Sequence, residues 1–133
     1  MAVLAAVPLV LGALTYERNN TWRSRMTLWE DVVRKGPGAP RAYVNLGFYY
    51  SDELKDREKA IRYYREALRL DPRADDARIN LGIVYLERNE LDKARYHLGI
   101  ALKYYPQNTR AHCMMGVALG KMGQLDRAIE HLD

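Results

Sequence analysis

The sequence predicts an all-α protein: about three helical hairpins stacked as a solenoid, preceded by a single apolar, membrane-embedded helix. Three observations lead there. Small residues recur at a fixed interval along residues 37–133, apolar residues between them recur at three- and four-residue spacing, and residues 1–16 carry no charged side chain. At 133 residues, 48% hydrophobic and 29% charged, the chain has the length of one domain and is too apolar for a disordered tail. It is also too charged for a polytopic membrane protein. A single cysteine excludes a disulfide scaffold and any multi-cysteine metal or haem motif. The net charge of +4 is mild beside the dense basic stripe of a nucleic-acid binder, so no nucleic acid is expected as a partner.

The first element is the apolar stretch Met1–Tyr16. As a helix it would cover about 24 Å at ~1.5 Å per residue, slightly short of a hydrocarbon core roughly 30 Å thick. Three readings compete: a membrane anchor, which is favoured and places membrane lipid around residues 1–16; a signal peptide; and a buried or interfacial helix. The signal peptide lacks a basic start, and Leu11-Gly12-Ala13 makes a poor cleavage site. Pro8 is compatible with a span. Arg18, Arg23 and Arg25 follow, a weak indication that what comes next is cytoplasmic. Asn19-Asn20-Thr21 fits the glycosylation pattern, which matters only in a secretory lumen.

The repeat dominates the rest. Gly47, Gly82 and Gly116 are spaced 35 and 34 apart, Ala60, Ala94 and Ala128 by 34 and 34, and Pro37, Pro72 and Pro106 by 35 and 34. The first unit therefore holds one additional residue, between Gly47 and Ala60 in the polar turn from Ser51 to Asp56. Each unit reads as two helices. Tyr43, Leu46, Gly47 and Tyr50 line one face of the first, and Ala60, Tyr64, Ala67 and Leu68 one face of the second. Arg69-Leu70-Asp71-Pro72 ends the pair, because proline disfavours helical geometry in the residue before it. Gly47 and Ala60 lack bulk where the antiparallel helices touch, and a larger side chain there would overpack the contact by about 1–3 kcal/mol.

The pattern Tyr43-x2-Leu46-Gly47-x2-Tyr50, then Ala60-x3-Tyr64-x2-Ala67, then Pro72 resembles the tetratricopeptide repeat. Leu81, Gly82, Tyr85, Ala94, Leu98, Ala101 and Pro106 repeat it. Met115, Gly116, Ala128 and Leu132 follow, with Leu119 where the family usually has an aromatic. Residues 22–36 resemble a solitary second helix, with Trp29 at the aromatic position, Val32 at the small one, and Thr27 and Glu30 at capping-box spacing, or a start earlier, near Ser24. The expected organisation is an anchor at 1–19, a half repeat at 22–36, and a repeat domain at 37–133 with units at about 40–73, 74–107 and 108–133. The chain stops inside the last expected helix, so either the sequence is a fragment or a partner covers its end.

The resemblance implies a right-handed solenoid whose first helices line a concave groove. Its positions are Arg41, Val44, Asn45, Phe48 and Asp52 in unit one, and Asp76, Ile79, Asn80, Ile83 and Glu87 in unit two. Unit three supplies Arg110, Cys113, Met114, Val117 and Lys121. Asn45 and Asn80 can donate and accept together, as a peptide backbone requires, or can bond to a neighbouring unit. Val44, Phe48, Ile79, Ile83 and Val117 fit packing between adjacent first helices better than exposed anchors. Repeats that clamp a chaperone's C-terminal carboxylate use a lysine in the first groove and a lysine–arginine pair in the third. Val44 and Met114 stand at two of those positions, and only Arg110 is left.

No catalysis, cofactor or metal is expected. His97, His112 and His131 fall on three different helices, with His97 facing solvent between units, and no HExxH, GxSxG or phosphate-cradling glycine loop is present. His112 and Cys113 are adjacent on one helix and so point about 100° apart; Cys113 reads as a small packing residue. The function expected is a membrane-tethered, non-catalytic scaffold that binds a partner peptide or helix in the groove, as a subunit of a membrane complex. A second reading rests on resemblance: the run Thr27–Lys35 is similar to the junction after the last span of multi-spanning glycosyltransferase-like proteins with C-terminal repeats. There the repeats face the extracytoplasmic side, which this likeness favours over the arginine argument. RNA binding is a third reading, opposed by scattered, acid-balanced basic residues.

Overall fold

The computed structural model describes residue 16 and residues 25–132. Residues 25–35 are helical and form α1. There follow α2 (Pro40–Asp52), α3 (Arg57–Leu70), α4 (Asp75–Glu87), α5 (Leu91–Tyr104), α6 (Thr109–Lys121) and α7 (Leu125–Leu132). Every regular element among the described residues is a helix. None of them is long and apolar enough to cross a membrane. The anchor predicted at 1–19 lies outside the described residues apart from Tyr16, as does the Asn19-Asn20-Thr21 triplet.

The chain forms three hairpins, α2–α3, α4–α5 and α6–α7, called units one to three below. Each second helix also packs on the first helix of the next unit. The first helices touch one another, α2 with α4 and α4 with α6, whereas α3 and α5 do not meet. That asymmetry bends the stack: first helices form the inner layer and second helices splay outward, giving an all-helical solenoid.

The glycines explain how close the helices come. A methyl group on Gly47 would lie 2.5 Å from Tyr64 Cε1, one on Gly82 2.8 Å from Leu98 Cγ, and one on Gly116 2.8 Å from Leu132 Cγ. Only a hydrogen fits beneath these side chains. Ala60, Ala67, Ala77, Ala94, Ala101, Ala111 and Ala118 are likewise fully buried, so small residues line both sides of each contact. The additional residue of unit one sits where the spacing placed it. Residues 53–56 join α2 to α3, while three residues suffice at 88–90 and 122–124. Each turn closes through a left-handed residue, Lys55, Asn89 or Gly123, followed by a backbone N–H that reaches back to the first helix. Asp56 N–H donates to Tyr50 O at 2.8 Å, Glu90 to Tyr85 O at 2.8 Å and Gln124 to Leu119 O at 2.9 Å.

Local capping supports these boundaries. Asp56 accepts from Lys59 N–H at 3.1 Å, Asn108 accepts from Ala111 N–H at 3.0 Å, and Pro40 opens α2 in the first turn, where no N–H is needed. Helix α1 is already formed at residue 25, which agrees with a start near Ser24 and puts Thr27 inside the helix instead of at its cap. Glu30 instead accepts from the Tyr50 hydroxyl at 3.4 Å, tying α1 to unit one.

Candidate partner-binding face

The inner layer carries five rows of side chains, each at a fixed offset from the unit's glycine. One position after it stand Phe48, Ile83 and Val117; Phe48 is 45% and Val117 40% exposed, while Ile83 is half-buried. Flanking them are two charged rows, Arg41, Asp76 and Arg110 on one side and Asp52, Glu87 and Lys121 on the other, all exposed. Val44 and Ile83 pack against the core, as the packing reading expected, and Met114 joins them; Phe48 and Val117, given the same reading, stay exposed because no neighbouring first helix covers them. Cys113 is exposed instead of packed.

Two of the residues expected in the groove are unavailable to a partner. Ile79 is 1% exposed and belongs to the core. Asn80 is 8% exposed, and its Oδ1 accepts from Arg110 Nη2 at 2.6 Å, so it bonds to the neighbouring unit. The physical reason is stacking: α6 lies against α4 and covers the edge that an isolated hairpin would expose. Arg110, the last remnant of a carboxylate clamp, is thereby engaged within the protein. Asn45 differs. It lines a cavity of about 510 Å³ with Arg41, Val44 and Asp76, and another of about 360 Å³ with Leu28, Trp29, Phe48 and Tyr49. Helix α1 thus adds Leu28 and Trp29 to the face, which repeat register alone missed because it numbers only first-helix positions.

Units are also tied by charge. Glu87 accepts from Arg57 Nε at 2.9 Å, Glu58 pairs with Arg88, and Asp75 accepts from Asn108 Nδ2 at 3.2 Å. Glu87 is therefore partly occupied and Asp52 pairs with Lys55 at 3.6 Å, leaving Arg41, Asp76 and Lys121 as the freer charges of the groove.

The outer side departs from the sequence reading of the histidines. His97 does not face open solvent: it stacks on Tyr85 at 5.6 Å, packs edge-on against Tyr96, and has a buried Nδ1 without a hydrogen-bond partner. Burial, helped by the nearby Arg78 and Arg65 charges, pushes its pKa down to about 4. His112 and His131 were expected on separate helices, and so they are, yet their Nδ1 atoms stand 2.9 Å apart. Register explains the meeting. Tyr43, Arg78 and His112 share one position of the first helix, and Tyr63, His97 and His131 one position of the second. In unit one the same two positions bring the Tyr43 and Tyr63 rings to 6.4 Å. Comparing units position by position was the signal that would have found the pair. Among the described residues no group of three or more histidine, cysteine or acidic side chains is arranged to hold a metal.

Comparisons with known proteins agree with this architecture. Sequence models of the tetratricopeptide repeat match residues 53–99 and 109–133, together just over half the chain. BBSome complex member BBS4 of Bos taurus is 34% identical over 88 residues, 65% of this chain and 17% of that protein. Protein O-mannosyl-transferase TMTC3 of Homo sapiens is 27% identical over 104 residues, 78% of this chain and 11% of that protein. The chain therefore spans only a small fraction of the length of these relatives. Among solved structures, the crystal structure of MamA protein superposes with a TM-score of 0.75 at 25% identity, covering 88% of this chain and 63% of that one. With glycine contacts, turn geometry and both repeat matches falling in one register, the chain belongs to the tetratricopeptide repeat family.

Proposed function

We propose that the chain is a non-catalytic protein–protein interaction scaffold that binds a partner peptide or helix along its first-helix face, within a larger membrane-tethered assembly. The observation that carries this reading is the apolar row Phe48, Ile83 and Val117 between two rows of charge. Phe48 and Val117 are large apolar side chains held at 45% and 40% exposure by a rigid inner layer, an arrangement suited to anchoring apolar groups of another chain. Asn45, open to two cavities, supplies donor and acceptor for the partner's backbone.

A photoreactive residue at Phe48, compared with one at the outer-face Tyr96 in native membranes, tests the reading. Protein adducts should form at Phe48 and be lost on Val117→Asp; adducts at Tyr96 alone would reverse the assignment of the face. Tethering is tested by extraction, since release from membranes by salt without detergent contradicts an anchor.

One set of relatives favours a second reading, in which these repeats are the C-terminal region of a multi-spanning glycosyltransferase-like enzyme. The likeness to TMTC3, by its name a protein O-mannosyl-transferase, extends over 78% of this chain and 11% of that protein. An open reading frame that starts at Met1 would deprive this reading of an active site. On either reading we place the repeats on the extracytoplasmic side; a glycosidase-sensitive mobility shift that disappears on Asn19→Gln supports that side, and protease sensitivity from the cytoplasm opposes it.

A further inference from the structure

We propose that His112 and His131 form a binding site for a divalent transition-metal ion of the zinc and nickel class, clamping α6 to α7. The argument begins with the proton on His112. Its Nε2 lies 2.9 Å from the carbonyl oxygen of Pro106, which can only accept, so Nε2 carries the hydrogen. The Nδ1 of a neutral His112 is then a lone pair, and it points at His131 Nδ1, 2.9 Å away. A ring nitrogen fixed by donating its other N–H to a backbone carbonyl is the usual support of a metal-ligating histidine, because that bond sets both tautomer and ring direction.

Two such nitrogens on a tetrahedral ion at about 2.0–2.1 Å would be about 3.3–3.4 Å apart, so the rings must part by about half an ångström and turn by roughly 35° for both lone pairs to converge on the ion. The proton that His131 Nδ1 shares with His112 in the metal-free chain moves to His131 Nε2 when the ion enters, and no proton is lost. Glu130 and Cys113 line the same cavity of about 490 Å³, leaving space for water or a carboxylate to complete the shell. Imidazole nitrogen selects zinc, nickel and copper over calcium and magnesium. The equivalent positions of unit two hold Arg78 and His97, where Arg78 donates to Pro72 O at 2.7 Å and offers no lone pair. The site is therefore confined to unit three.

Titration calorimetry of the 133-residue chain with zinc chloride should give one ion per chain. His131→Ala should weaken that binding by at least about tenfold, the scale on which even supporting residues of metal sites act. His97→Gln should leave it unchanged. Because an alanine can disturb the end of α7, nitrogen-resolved NMR of the unaltered chain provides the second measurement. Zinc should shift Nδ1 of both His112 and His131 while His112 Nε2 keeps its proton. Absence of binding, or binding indifferent to His131→Ala (an adventitious ion only), overturns the proposal, as does a zinc-induced shift at His97 in place of the pair.

Discussion

Units two and three share register and turn geometry, yet they are not equally buried. Leu98, which covers Gly82, is 0% exposed; Leu132, which covers Gly116 in the same way, is 58% exposed. Leu91 is half-buried, and its counterpart Leu125 is exposed. The difference lies in neighbours. The α4–α5 hairpin is packed between α3 and α6, whereas α7 meets α6 alone among the described helices. Small residues in step make a hairpin possible, but stacking against the next hairpin completes its burial, as expected of a solenoid in which each unit contacts only adjacent ones.

The largest effect should come from removing the covered leucine. Leu98→Ala leaves a cavity in a site with no route to solvent and should cost about 3 kcal/mol. Leu132→Ala removes a side chain already more than half in water and should cost less than about 1 kcal/mol. Urea denaturation of both variants checks the pair; similar losses would mean that Leu132 is as buried in solution as Leu98.

The glycines sharpen the same comparison. Alanine at position 47 places its methyl 2.5 Å from a Tyr64 ring that is almost wholly enclosed and cannot turn aside. About 2 kcal/mol of net destabilisation is expected once the helix gain of about 0.5–1 kcal/mol is subtracted. Alanine at position 116 meets Leu132, whose exposed side chain can swing outward, although Ala128 O at 3.2 Å limits the relief. Its net effect should be near zero. Midpoints of thermal unfolding should therefore fall clearly for Gly47→Ala and hardly for Gly116→Ala.

How much of this was legible beforehand follows from the same physics. The helices, the additional residue of the first turn and the close glycine contacts were readable because each depends on residues within one hairpin, where spacing determines contact. For Asn80 the choice between a peptide and the neighbouring unit stayed open, because it is decided by Arg110 on α6, thirty residues away; Ile79, a groove position by register, was better read as packing and is buried. His97 was set in solvent for a related reason: its shelter comes from the Tyr85 and Tyr96 rings, and no periodicity marks a stacking partner. Met1–Tyr16 was read from length and charge alone, and those properties bear on bilayers, not on the repeats.

His97 adds a pH dependence to unit two that unit three lacks at the same strength. Its pKa falls from an ordinary 6.5 to about 4 in the fold, so between those values the unfolded chain binds the proton more readily. The stabilisation is complete above pH 6.5 and fades as pH drops toward 4. Part of the ring still meets solvent, which leaves about 2 kcal/mol at stake. Stability measured at pH 7 and pH 4.5 should differ by that much more in the native chain than in His97→Phe; equal differences would show that the ring is solvated.

Arg110 tests the seam between the two units and should give a smaller loss than Leu98→Ala or Gly47→Ala. Its guanidinium donates to Asn80 Oδ1 at 2.6 Å, and Asn80 is the only polar side chain among the described residues that is buried in the core. Arg110→Ala leaves that oxygen without its donor, a loss of about 1–2 kcal/mol. Arg110→Lys should recover only part of it, because a compact ammonium on a flexible stem cannot reproduce the planar guanidinium. If the bond couples the units, the loss should be greatest in amide exchange of α6 and smaller in α2, two units away. Uniform loss of protection across all three units would instead mean that the solenoid opens as one block, and that the contrast between its middle and its end is one of exposure alone.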